Sequence, residues 1–141
     1  MIEWRYRDGV CELALGREPL NEIGSEMLAD LERFLAELDH GKTKALLIHS
    51  TLRRGFCAGA DLRELYSGMC ERPVEEQLPA LGEFLARVGR VMTALDELPL
   101  TTVGAISGLC FGGGFELALT CDLLVADRTA QLEKEIDERK Q

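Results

Sequence analysis

Two stretches decide the fold of this 141-residue chain: GFCAGADL at residues 55–62 and ISGLCFGGGFELA at residues 106–118. In each stretch, small residues stand where the pattern of a strand gives way to that of a helix. Small residues let a backbone approach a ligand, and the unbonded N–H groups at a helix start attract negative charge. Two such turns on neighbouring strands could aim two N–H donors at one oxygen, as an oxyanion hole does. Taken alone, either turn is better explained by ordinary tight packing than by a binding site.

Alternating strand and helix patterns surround the two turns. The predicted strands are a pair within 2–15 around an Asp8-Gly9 turn, then 45–49, 101–106 and 123–126. The predicted helices are 25–39, a short one from Asp61, 80–98 and 113–120. Ser25 is the expected N-cap of the first helix, and residues 67–79 are expected to form a mobile connector. The alternation predicts an α/β domain with parallel crossovers.

The composition restricts the class of function. The chain has 25 acidic and 16 basic residues, a net charge of −9, which disfavours binding to nucleic acid. No stretch approaches the roughly 20 apolar residues of a membrane span. The charged start MIEWR does not resemble a signal peptide, so we expect a cytoplasmic protein. The five cysteines are odd in number and lack a CxxC pair, which disfavours a disulfide scaffold or a metal site.

Together the two stretches resemble the paired signatures of the crotonase superfamily, also called the enoyl-CoA hydratase/isomerase family. FCAGADL, a connector and helix, a proline before a strand, and GGGFELALTCD match that family in order. The resemblance runs from the N-terminal strands to about Gln131. It implies an α/β crotonase-like chain, the ClpP/crotonase fold of repeated β-β-α units. Residues 1–128 would be its N-terminal core, and residues 129–141 a charged tail that is atypical of the family.

The resemblance implies a role for each matched position. Ala60 and Gly113 would be the two backbone N–H donors that hold the thioester oxygen, and Glu116 would be a catalytic acid/base. Ala58 matches the position whose backbone meets the adenine of coenzyme A, and Asp61 matches the acid that follows. The coenzyme A thioester is then a substrate, with no permanently bound cofactor and no metal.

Charged residues near the turns have simpler explanations as well. Arg53, Arg54 and Arg63 flank the first turn and are candidates to meet the phosphates of coenzyme A, but ordinary loop charge explains them equally well. Glu116 has an alternative as a solvated glutamate in a first helical turn, where the helix dipole favours it.

The last residues depart from the family pattern. In hydratases a second catalytic glutamate follows in a segment resembling AQFGxPE. The stretch 129–132 begins that match, which then ends in a charged run at 133–138. Residues 131–141 are predicted to be a solvated helix or a frayed tail. Ile136 occupies the aligned position, and Glu135 would occupy it after one deletion, so neither receives a catalytic role. We therefore expect a C-terminally truncated member of the family.

The sequence thus predicts an acyl-CoA enzyme of the enoyl-CoA hydratase/isomerase type, by family a hydro-lyase that stabilises a thioester enolate. Isomerisation, thioester hydrolysis and decarboxylation stay open, because the family runs all of them from one oxyanion hole. The alternative is a non-catalytic crotonase-like fragment or assembly subunit that at most binds acyl-CoA. A homo-oligomer is expected, a trimer or a dimer of trimers if the chain is complete, since missing elements would expose apolar faces.

Overall fold

The computed structural model describes residues 1–133. Strands and helices alternate along these residues, which confirms the predicted α/β class. The elements are β1 (Ile2–Arg7), β2 (Val10–Leu15), α1 (Ser25–Glu37), β3 (Ala45–Ser50), β4 (Gly55–Cys57), α2 (Leu62–Cys70), α3 (Val74–Asp96), β5 (Thr101–Ile106), β6 (Leu109–Phe111), α4 (Gly113–Leu119), β7 (Leu123–Ala126) and β8 (Gln131–Glu133). Within this part of the chain, none of the helices has the length and apolar character that crossing a bilayer requires.

The larger sheet has the strand order β1-β2-β3-β5-β7. β1 and β2 pair antiparallel around Asp8 and Gly9, whose φ angles of 51° and 80° match the hairpin predicted from this dipeptide. The other pairs, β2 with β3, β3 with β5 and β5 with β7, are parallel. The predicted parallel crossovers are therefore present.

A second, three-stranded sheet of order β4-β6-β8 carries the two sequence signatures. The sequence pattern placed each turn directly after a strand of the larger sheet, but β4 and β6 stand in between. Each has only three residues, too few to leave a recognisable periodicity. β4 and β6 pair in parallel, with Cys57 opposite Cys110. The two turns therefore do follow neighbouring strands, although not the strands that were predicted.

The start of α1 differs from the prediction. Gly24, and not Ser25, is the N-cap, and Ser25 is the first helical residue. The Ser25 N–H donates to the Glu64 carboxylate of α2 at 3.0 Å. A carboxylate from a neighbouring helix thus satisfies a donor that a capping side chain usually satisfies.

The predicted mobile connector at 67–79 is mostly helical. α2 continues to Cys70, and α3 begins at Val74 with Pro73 as its N-cap. Pro79 lies within α3, in its second turn, where a proline removes a single intrahelical hydrogen bond. The helix continues beyond it because the apolar stripe of α3 packs on the core.

Residues 131–133 form β8 instead of the predicted solvated helix or frayed tail. Gln131 donates its N–H to the Gly108 carbonyl at 2.8 Å, and the Gly112 N–H donates to the Glu133 carbonyl at 2.9 Å. The open edge of β6 thus orders this stretch by backbone pairing, which a charged sequence does not reveal. The rest of the predicted tail, 134–141, lies outside the described residues, and the domain boundary at residue 128 stays a prediction.

One contiguous core joins the larger sheet, α1 and the smaller sheet. Leu13 and Ile48 from the larger sheet, Phe34 from α1 and Phe56 from β4 are each at most 1% exposed. At the edge of the larger sheet formed by β7, by contrast, all four residues of the strand are exposed. Within residues 1–133 the core is therefore closed at the smaller sheet and open along β7.

Replacing Gly114 by alanine should destabilise the fold, because α4 approaches β4 too closely for a side chain. A Cβ at this position would lie 2.2 Å from the backbone carbonyl oxygen of Cys57. Forced overpacking of this kind costs about 1–3 kcal/mol or more in the free energy of unfolding. Urea denaturation followed by circular dichroism measures this loss.

The matched control is Gly82→Ala in α3, where nothing lies within 4 Å of the added Cβ. Alanine should there stabilise the helix by about 0.5–1 kcal/mol. Equal unfolding midpoints for the Gly114 and Gly82 variants would contradict the described packing of α4 on β4.

Candidate functional site

The first turn is held in place by the loop before α1. The Ile23 N–H donates to the Gly59 carbonyl at 2.8 Å, and the Asp61 N–H donates to the Ile23 carbonyl at 2.9 Å. Ile23 is thus paired with Ala60 as residues are in parallel strands. The two hydrogen bonds are made by the residues before and after Ala60, the Gly59 carbonyl and the Asp61 N–H. Since neighbouring peptide groups of an extended strand face opposite ways, the Ala60 N–H is directed away from the loop. Gly59 has a φ of 99°, a conformation that favours glycine.

The second turn comes within a few ångströms of the first. Gly112 is the N-cap of α4 with a φ of 53°, and Gly113 is its first helical residue. A Cβ built on Gly59 would lie 3.3 Å from the Gly113 nitrogen, and a Cβ built on Gly113 would lie 3.9 Å from the Ala60 nitrogen. Within residues 1–133, neither nitrogen donates to a backbone carbonyl. Two adjacent N–H groups without an internal acceptor are able to bind one anionic oxygen.

An open cleft of about 570 Å³ borders the first turn. Its lining includes Ala60 and all three of the predicted coenzyme A positions, Ala58, Asp61 and Arg63. Neither Gly113 nor Glu116 is among the lining residues, so the second turn adjoins this cleft through Ala60 rather than forming its wall.

Glu116 is an exposed residue in the first turn of α4, as predicted. Its N–H donates to the Gly112 carbonyl at 3.1 Å, which ties the glutamate to the turn that carries Gly113. Arg53 and Arg54 are exposed but do not line the cleft. Of the three predicted phosphate-binding arginines, only Arg63 therefore faces it.

The Asp61 carboxylate is engaged with other protein groups. Its Oδ1 accepts the Glu64 N–H at 3.1 Å and caps α2, and its Oδ2 accepts from Arg17 Nη2 at 3.2 Å. The two side chains of this ion pair are only 15% and 20% exposed. Burial lowers the pKa of Arg17, but hydrogen bonds to Asp61 and Glu26 raise it by more, so the guanidinium stays charged. An aspartate just before a helical pattern is a known N-cap signal, although no sequence feature indicated Arg17 as its partner.

Asn21 is a further residue that sequence reasoning missed. Its side chain is fully buried and its φ is 55°. Nδ2 donates to the Phe56 carbonyl at 2.9 Å and to Ser50 Oγ at 3.0 Å, and Oδ1 accepts the Arg17 N–H at 2.7 Å. Asn21 therefore joins the loop before α1 to β3 and β4 beneath the first turn. In the sequence it stands in a Gly- and Pro-containing loop, where asparagine usually indicates an exposed turn.

Two of the five free cysteines lie beneath the turns and are unreactive by environment. Burial raises the pKa of Cys57 to about 12 and that of Cys110 to about 11. Cys57 Sγ donates to the Asn21 carbonyl at 3.1 Å. These thiols act as small buried groups, as predicted. Within residues 1–133, no cluster of three or more His, Cys, Asp or Glu side chains is arranged to hold a metal ion.

Asn21→Ala should destabilise the loop and the fold together. The change leaves the Phe56 carbonyl and the Arg17 N–H without their buried side-chain partner, at about 1–3 kcal/mol for each group. We expect the free energy of unfolding, measured in urea, to fall by about 2–4 kcal/mol. Asn21→Asp keeps the acceptor, loses the donors and buries a charge, so it should be at least as destabilising. Wild-type stability in both variants would contradict the network.

Thiol reactivity should separate Cys70 from the buried cysteines. At about pH 8, an aromatic disulfide reagent should modify the exposed Cys70 quickly, while Cys57 and Cys110 react only on unfolding, because few of their thiols are ionised. Above about pH 8.5 the unfolded chain ionises these thiols first, so stability should decrease as pH rises toward the raised folded-state pKa values. Cys70→Ser should abolish the fast phase; fast modification that persists in the double variant Cys70→Ser, Cys121→Ser, which lacks the half-buried Cys121 as well, would show that a buried thiol is accessible.

A sequence profile described as enoyl-CoA hydratase/isomerase matches residues 5–136. Among curated proteins, the mouse "Enoyl-CoA hydratase domain-containing protein 2, mitochondrial" is 33% identical over 126 residues, covering 86% of this chain and 39% of that protein. The human "Methylglutaconyl-CoA hydratase, mitochondrial" is 36% identical over 113 residues, covering 79% of this chain and 31% of that protein. Both matches extend over less than half of the relative.

Solved structures give the same result at the level of the fold. The enoyl-CoA hydratase from Bacillus anthracis aligns with a TM-score of 0.78 at 27% identity, covering 92% of this chain and 48% of that chain. A Pseudomonas aeruginosa structure titled PA4980 aligns with a TM-score of 0.79 at 29% identity, covering 92% and 53%. The chain thus spans about half the length of the structures that share its fold.

Proposed function

The chain belongs to the enoyl-CoA hydratase/isomerase family, the crotonase superfamily, and we propose that it supplies the oxyanion hole and one acid/base of an acyl-CoA enzyme. The family and the crotonase-like fold were both predicted from the two signatures, and both are confirmed. The observation that carries the proposal is the nearness of the Ala60 and Gly113 amides, each beside a turn that a side chain would obstruct. The activity of the whole protein is part of the proposal, because the chain matches less than half of its curated relatives.

The proposed substrate is a coenzyme A thioester. Its carbonyl oxygen would accept hydrogen bonds from the Ala60 and Gly113 N–H groups, and these bonds strengthen as the oxygen gains enolate charge. Polarising the carbonyl acidifies the α carbon and makes the β carbon of an unsaturated acyl chain electrophilic. Glu116, on the same helix as Gly113, would activate water or return a proton. Hydration is the leading reaction, and isomerisation, thioester hydrolysis and decarboxylation begin from the same polarised carbonyl.

The cleft beside the first turn is the proposed site for the coenzyme A portion, a substrate group and not a resident cofactor. Ala58 would meet the adenine through its backbone, and Arg63 would meet a phosphate, since both line the cleft. A local cation is needed because the net charge of −9 gives an anionic ligand no long-range attraction. Asp61 would shape the cleft by capping α2, since its carboxylate already binds protein groups.

Association into a homo-oligomer and a cytoplasmic location belong to the same proposal. Leu119, Leu123 and Val125 are 56%, 60% and 63% exposed, which places apolar surface beside α4. The same exposure favours a second candidate function, a non-catalytic subunit that binds acyl-CoA, because residues 1–133 leave this side of α4 without cover. The reaction itself distinguishes the two candidates.

Removing one proposed oxyanion donor should abolish most of the turnover. Gly113→Pro deletes the N–H at the first position of α4, where proline is well tolerated by a helix. Gly113→Ala keeps the N–H, and its Cβ would lie 3.3 Å from the end of the Ile23 side chain, with the Gly59 Cα at 3.7 Å and the Ala60 nitrogen at 3.9 Å. Following the loss of conjugated-thioester absorbance of crotonyl-CoA, we expect the proline variant to lose roughly 10²–10³ in kcat. A proline variant with the kcat of the wild type would refute the assignment.

Glu116→Gln tests the acid/base and the second candidate together. The change keeps the size of the side chain and removes its proton-transfer capacity, so kcat should fall by roughly 10²–10⁴. Binding of free coenzyme A, measured by calorimetry, should be unchanged. Wild-type protein that binds crotonyl-CoA but never converts it would favour the non-catalytic subunit.

A further inference from the structure

We infer that Arg17 and Asp61 are a positioning pair that fixes the direction of the Ala60 N–H. The inference rests on the proposed function, in which that N–H is one of two oxyanion donors. The contacts of Arg17 that support the inference lie within the protein and do not depend on any substrate.

The Arg17 guanidinium connects three separate parts of the chain. Nη2 donates to Asp61 Oδ2 at 3.2 Å, Nη1 donates to the Glu22 carbonyl at 3.1 Å, and Nε donates to Glu26 Oε2 at 3.4 Å. Its acceptors thus belong to the N-cap of α2, the loop before α1 and the first turn of α1. Each of the three nitrogens has a protein acceptor, and the side chain is only 20% exposed.

These contacts hold both segments of the Ile23–Ala60 pairing, which orients the Ala60 N–H. Glu22 directly precedes Ile23, and Asp61 directly follows Ala60. Arg17 therefore hydrogen-bonds to a neighbour of each residue in the Ile23–Ala60 pair. The bridge itself is short: the Asp61 N–H donates to the Ile23 carbonyl at 2.9 Å. Asn21 anchors the same loop from below, since it accepts the Arg17 N–H at 2.7 Å. A change at Arg17 therefore reaches Ala60 through one side chain and one backbone hydrogen bond.

The geometry distinguishes this role from a direct contact with coenzyme A. Arg17 lines the cleft, but Asp61 and Glu26 already surround its charge with two carboxylates. An arginine that positions Ala60 should affect chemistry at the thioester carbonyl and leave the binding of free coenzyme A, which lacks that carbonyl, unchanged. An arginine that binds phosphate should do the opposite.

Amide hydrogen exchange tests the inference without reference to catalysis. In Arg17→Gln, the Asp61 amide should exchange at least about tenfold faster than in the wild type. The reason is that the charged hydrogen bond from Arg17, which stabilises the bond from the Asp61 N–H to the Ile23 carbonyl, is lost. The control is Arg33→Gln, which removes an exposed ion pair with Asp30 on α1 and should leave the Asp61 amide unchanged. Unchanged exchange at Asp61 in Arg17→Gln would overturn the inference, whatever the protein catalyses.

Conservative variants separate positioning from folding. Arg17→Lys keeps the charge but offers one nitrogen in place of three, and Asp61→Asn keeps a capping side chain while removing the ionic partner. Both should fold, with an unfolding midpoint near the wild-type value. In both we expect a fall in kcat with crotonyl-CoA of about 10- to 100-fold, and in Arg17→Lys also accelerated exchange at Asp61. If Arg17→Gln itself fails to fold, these two variants decide the question.

The binding of free coenzyme A completes the test. Calorimetry should give the same Kd for wild type and Arg17→Lys. A weakened Kd with normal exchange at Asp61 would overturn the inference and make Arg17 a ligand contact. If wild type shows no turnover, the proposed function fails, and the exchange measurements alone still support or refute the positioning pair.

Discussion

The parallel pairing of β4 with β6 is the constraint on which the arrangement of both turns depends. Each strand is short, and each leads directly into a glycine-containing turn and a helix. With Cys57 opposite Cys110, the residues that follow the two strands must emerge side by side. The close approach of Gly114 to the Cys57 carbonyl then draws the start of α4 onto β4. The distance between the two amides is thus set by strand register and backbone packing.

The loop before α1 supplies a second constraint, built from polar groups. A buried amide such as Asn21 is costly unless its donors and acceptor are all satisfied, and here they reach β3, β4 and the loop itself. A fully satisfied network of this kind permits one arrangement and penalises others. It therefore suits a place where the direction of a single N–H matters more than the amount of apolar surface that is buried.

The sequence predicted the elements whose signal is local. The Asp8-Gly9 hairpin, the long apolar runs and the helical stripes each depend on a periodicity or a turn residue within a few positions. The three-residue strands β4, β6 and β8 were missed because backbone pairing with one another orders them, and none carries a pattern of its own. The capping of α1 was mispredicted for a similar reason, since the carboxylate that meets Ser25 comes from α2. Asn21 and Arg17 were missed because their partners are up to 44 residues away.

The candidate site divides into a part that is complete within residues 1–133 and a part that is not. The bridge at Ala60, the cap at Asp61 and the approach of Gly114 to β4 all use partners from these residues. The apolar side chains of β7 are only partly covered by these residues, and Leu123 and Val125 are more than half exposed. Under the proposed function, carbonyl polarisation would need only the first part, because two fixed N–H groups would suffice for it.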